Sequence, residues 1–196
     1  IIPTYNEQEN IERLIEDISS FGYDYLIIND KSTDNTESII RKNKFNCLDL
    51  PINIGIAGVT RIGFKYAYDN GYECAICVDG DGQHQPKYVQ SLISEIANGY
   101  DYVVGSRFVN KKKPLSSRML GSRIICFFIQ LKTGVKVTDP TSGMRALGKK
   151  VLKDFSENMN FYAEPDALCY TIHHGYRVKE IQVEMKEREG GESYFK

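Results

Sequence analysis

Cys74-Ala75-Ile76-Cys77-Val78-Asp79-Gly80-Asp81-Gly82-Gln83-His84 is an apolar run that stops on two carboxylates with a glycine between them. The apolar part has the length of a buried strand. The polar part is built from Asp and Gly, which suit a tight turn. A helical pattern from Pro86 to Ala97 follows. Strand, polar turn and helix in that order are half of a βαβ unit. Two carboxylates at this spacing also converge readily on one hard cation, and Gln83 continues the spacing with an amide oxygen. The bland alternative is a turn that caps the next helix. Asp-x-Asp by itself does not separate the two.

The same alternation extends outward on both sides. Ile1-Ile2 reads as the tail of a first strand, Tyr25 to Ile28 as a second and Cys47 to Leu50 as a third. Asn6, with Glu9 three residues on, fits a capping box before Ile11, Leu14, Ile15 and Ile18 at helical spacing. Thr33-Asp34 opens a second helix, and Gly58 to Tyr68 forms a third that Asn70-Gly71 ends. Tyr102 to Val104 is a fifth strand. Beyond Gly105 the pattern loosens into a helix near Leu115 to Leu131, a strand-like Met144 to Leu147, a helix from Glu164 to His174 and a strand from Val178 to Val183. Strands separated by helices predict an α/β fold, a mostly parallel sheet flanked by helices with a mixed C-terminal segment. No repeat or linker divides the 196 residues.

Composition narrows the partners. Apolar residues make up 41% and charged residues 26%, with a formal net charge of -1, which argues against a strongly basic protein that coats nucleic acid. The charge is uneven. No Asp or Glu lies between Tyr102 and Thr138, while Arg107, Lys111, Lys112, Lys113, Arg118, Arg123, Lys132 and Lys136 do. That field suits an anionic partner: a phosphate, a pyrophosphate or an anionic membrane surface. A solvated basic face is the plainer reading. Five cysteines form no disulfide framework and suit a reducing compartment. Cys74 and Cys77, three apart on a strand, point to opposite faces and read as core cysteines. The longest apolar run, Ile124 to Ile129, is far short of the roughly 20 residues that span a membrane. The chain opens without Met and ends inside a motif, so it is expected to be a fragment truncated at both ends.

Ligands of open α/β sheets bind outside the carboxyl ends of the strands. Pro3-Thr4-Tyr5-Asn6-Glu7, Asn29-Asp30 and Asp79 to His84 all follow strands and are expected at one edge. Asp30 is placed to accept from a nucleobase, or else to cap a helix. Arg107, after Gly105-Ser106, is placed as a phosphate clamp, or else in a surface ion pair. His84 orients Asp81 or packs at the helix start. His173 and His174 read as structural.

These segments in this order resemble glycosyltransferase family 2 enzymes of the GT-A fold. The opening Ile2-Pro3-Thr4-Tyr5-Asn6-Glu7, the segment Asn29-Asp30-Lys31-Ser32-Thr33-Asp34 and Gly105-Ser106-Arg107 are similar to family motifs. So are Asp139-Pro140-Thr141-Ser142-Gly143-Met144-Arg145 and Arg188-Glu189-Gly190-Gly191-Glu192-Ser193. Asp79 to His84 resembles the branch of dolichyl-phosphate mannose synthases and bacterial polyprenyl-phosphate glycosyltransferases. The resemblance implies one GT-A catalytic unit over residues 1–196, with a nucleotide-sugar-binding half at 1–105 and an acceptor-side half at 106–196. It implies that Pro3, Tyr5 and Glu7 line the nucleotide pocket with Asp30 on the base. Asp79 and Gly80 would lie near the ribose and diphosphate. Asp81 and Gln83, with Asp79 beside them, would hold Mg²⁺ or Mn²⁺. Arg188 would close over the diphosphate. Arg107, Arg118 and Ser122 would meet the acceptor. Asn29 stands where the family usually has Asp, and Lys31 where it has a small residue, which bears on base preference.

The implied reaction is inverting transfer of a sugar from a UDP- or GDP-linked donor to a polyprenyl or dolichyl phosphate. Transfer to a saccharide hydroxyl, as in capsule or cell-wall polysaccharide synthesis, is the alternative. A catalytically inactive binding or scaffold module is another. A hydroxyl acceptor needs a base, for which Asp139 and then Glu164 are the candidates; Asp139 alternatively positions the acceptor. Arg118 to Leu131 mixes cations with large apolar residues and reads equally as a core helix or as one lying on the cytoplasmic face of a membrane.

Overall fold

The computed structural model describes residues 1–158 and 165–186, and among these every side chain except that of Arg118. Among the described residues there are seven strands: β1 (Ile2–Thr4), β2 (Ile27–Asn29), β3 (Cys47–Asp49), β4 (Cys74–Cys77), β5 (Tyr102–Ser106), β6 (Arg145–Gly148) and β7 (Val178–Gln182). The helices are α1 (Ile11–Ser20), α2 (Thr36–Lys42), α3 (Gly55–Asp69), α4 (Val89–Ala97), α5 (Ser117–Thr133), α6 (Lys149–Glu157) and α7 (Asp166–His173).

Strands pair in two ladders, β1-β2-β3 and β4-β6-β5-β7. Ile1 N donates to Ile76 O at 2.8 Å, Val78 N to Ile1 O at 3.0 Å and Gly80 N to Pro3 O at 3.2 Å, so β1 lies along β4 and joins the ladders. Pairings within β1-β2-β3 and between β5 and β7 are parallel. Only β6 runs against its neighbours β4 and β5.

Side chains alternate across the sheet as a period of two requires. Ile2, Ile27, Val78 and Val103 enter one core with Ile11, Leu14, Ile15 and Ile18 of α1 and Leu92 of α4. Cys77, Tyr102, Val104 and Leu147 enter the other with Phe64 of α3, Val151 and Leu152 of α6 and Leu168 of α7. Each such buried aliphatic side chain contributes about 1.5–3 kcal/mol. Burial, and then the neighbouring Asp79 carboxylate, push the Cys77 thiol up to about 12. It is an inert core cysteine.

Three local readings change. Asn6 does not start α1. It sits at φ +56° and its Oδ1 accepts from Thr33 N at 2.8 Å, which ties the loop after β1 to the loop after β2. The helix starts at Ile11, after Asn10. α6, absent from the sequence reading, follows β6 without a loop and buries Val151, Leu152 and Phe155. α5 is neither wholly core nor wholly surface. Ser116 Oγ accepts from Met119 N at its start, and Gly134 closes it. Met119, Ser122 and Ile129 are buried, while Leu120, Ile124, Phe127, Phe128 and Leu131 are exposed.

Candidate active site

The carboxyl ends of β1, β2, β4 and β5 meet at one edge. Asp30 N donates to Thr4 O at 2.9 Å, and Gly80 N to Pro3 O, so the three expected clusters are stitched together by backbone. Gly80 is needed for that approach: a Cβ there would lie 2.9 Å from Pro3 O and 3.0 Å from Thr4 Oγ1. Pro3 is buried beneath the edge and Tyr5 half-buried at its rim. Glu7 is also buried, its Oε2 accepting from Asn10 Nδ2 at 2.8 Å and its amide donating to Thr36 Oγ1 at 2.9 Å.

Asp30 is 2% exposed, and its two oxygens accept from Ile54 N and Gly55 N, both at 2.8 Å. It thus caps the start of α3 across the edge, not the start of α2. Asn29 donates from Nδ2 to Asp49 Oδ1 at 2.9 Å, and its Oδ1 accepts from Ser32 N at 3.1 Å. An aspartate at 29 would set one carboxylate against another, which accounts for the amide here.

In the turn after β4, Asp81 Oδ1 accepts from Gln83 N at 3.0 Å. His84 is buried, and its Nδ1 accepts from Asp79 N at 2.9 Å. That nitrogen is therefore unprotonated, and the 3.6 Å approach of the Asp79 carboxylate to it is not an ion pair. His84 holds Asp79, not Asp81. The Gln83 carbonyl and its side-chain amide nitrogen face the segment after β7: Lys186 N donates to Gln83 O at 3.0 Å, and Gln83 Nε2 donates to Lys186 O at 3.3 Å. The Gln83 amide oxygen is left to accept elsewhere. Arg188 and Glu164 lie outside the described residues.

No group of three His, Cys, Asp or Glu able to cage a metal occurs among the described residues. Mg²⁺ and Mn²⁺ do not require one. They are commonly held by one or two carboxylates, with substrate phosphates and water completing the shell. Asp79, Asp81 and the Gln83 amide therefore fit a cation that arrives with a diphosphate.

On the far side, Arg107 pairs with Asp139. Nε donates to Oδ2 at 2.7 Å and Nη2 to Oδ1 at 2.8 Å, and the Arg107 amide donates to Oδ2 at 3.0 Å. Asp139 is fully buried, whereas the Arg107 side chain is 23% exposed. This fork raises the guanidinium pKa above its ordinary value and leaves the Nη1 edge to a ligand. The arrangement is neither the surface ion pair nor a free base. Asp139 is itself positioned by Glu180, a residue that the sequence reading missed. Glu180 Oε1 accepts from Asp139 N at 2.8 Å, and Oε2 accepts from Thr138 N at 2.7 Å and Thr138 Oγ1 at 2.8 Å. Its only signal in the sequence is a carboxylate within a predicted strand.

One loop serves both sides. Asp139 begins it and holds Arg107. Ser142 Oγ donates to Gly105 O at 2.6 Å, and Gly143 lies so close to Asp79 that a Cβ would stand 2.6 Å from Oδ2. Arg118 and Ser122 both stand in the first half of α5. Ser122 is 4% exposed and its Oγ accepts from Lys113 Nζ at 2.8 Å.

Solved structures share this architecture. Glucosyl-3-phosphoglycerate synthase from Mycobacterium tuberculosis, in complex with Mn²⁺ and UDP-glucose, superposes with a TM-score of 0.70 at 17% identity, over 97% of this chain and 70% of that one. The fold is thus the GT-A fold. Residues 1–156 match the family described as Glycosyl transferase family 2. The UDP-N-acetylglucosamine–dolichyl-phosphate N-acetylglucosaminyltransferase of Methanococcus voltae is 35% identical over 182 residues, 81% of this chain and 72% of that protein. The undecaprenyl-phosphate mannosyltransferase of Micrococcus luteus is 29% identical over 98% of this chain and 85% of its own. The chain belongs to glycosyl transferase family 2.

Proposed function

We propose that this chain transfers a sugar from a UDP- or GDP-linked donor to a polyprenyl phosphate, in one displacement with inversion at the anomeric carbon. The observation that carries the reading is the loop from Asp139 to Gly143. It grips Arg107 at one end and packs on Asp79 at the other, so a phosphate on Arg107 would lie beside the donor site. Relatives named for dolichyl and undecaprenyl phosphate support the acceptor class.

Asp81, Asp79 and Gln83 would hold Mg²⁺ or Mn²⁺, which when bound would neutralise charge on the leaving diphosphate. The chain's own residues supply positioning. Asp79 is fixed through its amide by His84. Arg107 keeps its guanidinium in one orientation through Asp139 and offers Nη1 to the acceptor phosphate. A lipid monophosphate has a second pKa of about 6, so at neutral pH it attacks without a base. Asp139, buried and bonded through both oxygens to Arg107, acts here as a positioning residue. That favours the phosphate acceptor over a sugar hydroxyl.

The exposed apolar face of α5, with Phe127, Phe128 and Leu131 flanked by Lys132 and Lys136, suits peripheral contact with the anionic cytoplasmic face of a membrane. No helix among the described residues is long and apolar enough to cross one. Sedimentation with phosphatidylglycerol vesicles, but not with neutral ones, is the expected result; equal recovery with both would remove the electrostatic part of this reading. The acceptor is tested by offering labelled UDP- and GDP-sugars with polyprenyl phosphate or with free oligosaccharide. Label in the lipid is expected. Label only in the oligosaccharide would overturn the proposal.

A further inference from the structure

Among the described residues, no neighbouring carboxylate answers the charge of Lys113. Its Nζ donates to Ser122 Oγ at 2.8 Å and lies 3.2 Å from Cys126 Sγ. Neither partner is a carboxylate. Lys111, two residues earlier, shows the ordinary arrangement, an ion pair with Glu184 at 2.8 Å. Lys113 is half-buried, where an ammonium is costly unless opposite charge is near. Two contacts hold it there. Arg123 Nη2 donates to Lys113 O at 2.8 Å, clamping its loop to α5. The Phe108 ring lies under its ammonium, 5.5 Å from centroid to Nζ, and the same ring lies 5.2 Å from the guanidinium carbon of Arg107. The two cations thus share one aromatic neighbour.

Beside them opens a cavity of about 680 Å³, lined among others by Phe108, Lys112, Lys113, Leu115, Phe127 and Lys136. Among the described residues that line it, none is Asp or Glu. Cations on one part of a wall and large apolar side chains on the rest fit an amphipathic phosphate. Ser122, by contrast, is buried, and its hydroxyl is already engaged by Lys113.

We infer that Lys113 is a ligand of the acceptor phosphate, that Ser122 acts through it by holding the ammonium in place, and that the cavity takes the first part of the acceptor's hydrocarbon chain. The inference rests on the proposed lipid-phosphate acceptor and adds the residue and the space that receive it. A phosphate monoester would supply the missing counter-charge between Lys113 and Arg107.

Farnesyl phosphate is the probe, with farnesol as the neutral control, on the full chain with its donor. Lys113→Met is expected to raise the KM for farnesyl phosphate by about 10- to 100-fold, the loss of one charge-assisted contact. Donor affinity and melting temperature are expected to stay at wild-type values. Lys113→Arg should recover most of the loss. Ser122→Ala should raise the KM less, and should add nothing in the Lys113→Met background, because the two act as one unit. If wild type uses farnesyl phosphate and Lys113→Met does so equally well, the inference falls and the acceptor reading stands. An equal effect of Ser122→Ala in both backgrounds would place Ser122 on the phosphate directly and also overturn it. If wild type labels only an oligosaccharide, the acceptor reading itself fails and this inference with it.

Discussion

The edge proposed to bind the donor, the donor edge, and the side proposed to receive the acceptor, the acceptor side, satisfy their charges differently. At the donor edge, Asp30 is bonded to the start of α3, Asn29 to Asp49, and Asp79 is fixed through its amide by His84. These partners are backbone groups or side chains set by the sheet itself. On the acceptor side, Lys112, Lys113 and Lys136 line a cavity that has no carboxylate among its described residues. Among the described residues there, Arg107 is answered by the buried Asp139 and Lys111 by Glu184. The donor edge is therefore organised before any ligand arrives, whereas the acceptor side keeps net positive charge for an anion to neutralise. The split is economical for a transferase: the leaving diphosphate needs fixed donors in place, and the incoming phosphate needs a field to draw it in.

The largest effect expected at the donor edge is that of Asp81→Ala. Sugar transfer should fall by at least about 100-fold, as when one preorganised electrostatic group is removed. Binding of UDP or GDP should lose its dependence on Mn²⁺ in calorimetry. Full retention of metal-dependent binding would move the metal site elsewhere. Next comes the buried pair on the acceptor side. Asp139→Ala strips Arg107 of its fork and should cost about 3 kcal/mol in a urea melt, near the low end for a broken buried pair because Arg107 is partly exposed. It should also raise the KM for the lipid phosphate, since the guanidinium loses its orientation. Unchanged stability would mean that Arg107 does not depend on this carboxylate.

How far the sequence discloses this contrast follows from which contacts are local. The turn Asp79-Gly80-Asp81 is legible because an apolar strand ends on it. The shared edge is legible because parallel strands share a direction. The charge gap from Tyr102 to Thr138 is visible as a bare count. What is not legible is pairing at long range. Arg107 and Asp139 are 32 residues apart, and Asp139 and Glu180 are 41 apart; neither spacing leaves a periodic trace. β6 slips antiparallel between β4 and β5, which no alternation of residues announces. Asn6 with Glu9 satisfied the capping-box pattern, yet tertiary contact with Thr33 set its backbone. α6 did have a signal in Val151, Leu152 and Phe155, but without a loop after β6 that signal merged into the strand.

A smaller effect probes the loop that couples the two sides. Gly143→Ala would bring a methyl within 2.6 Å of Asp79 Oδ2. The backbone or the carboxylate must shift, at a cost of about 1–3 kcal/mol. If the carboxylate gives way, donor affinity weakens while binding of farnesyl phosphate alone stays near wild type. Equal losses for donor and acceptor would show the whole loop moving, Arg107 included, and would blur the division between the sides.

The smallest expected effect tests whether the donor edge is saturated by its own partners. Asn29→Asp places a carboxylate opposite Asp49, where the amide now donates at 2.9 Å. Like charges directly across neighbouring strands cost up to about 1 kcal/mol. Asp49 is partly solvated, so part of that cost should vanish at high salt. The double variant Asn29→Asp, Asp49→Asn restores an amide facing a carboxylate with the roles exchanged, and should recover most of the loss in a denaturation cycle. Affinities for UDP and GDP should move together through all three proteins, because Asn29 is 1% exposed and spends its amide on Asp49 and Ser32. A switch of preference between the two nucleotides without a change in stability would instead put Asn29 in contact with the base, and the donor edge would then be less complete on its own than its hydrogen bonds imply.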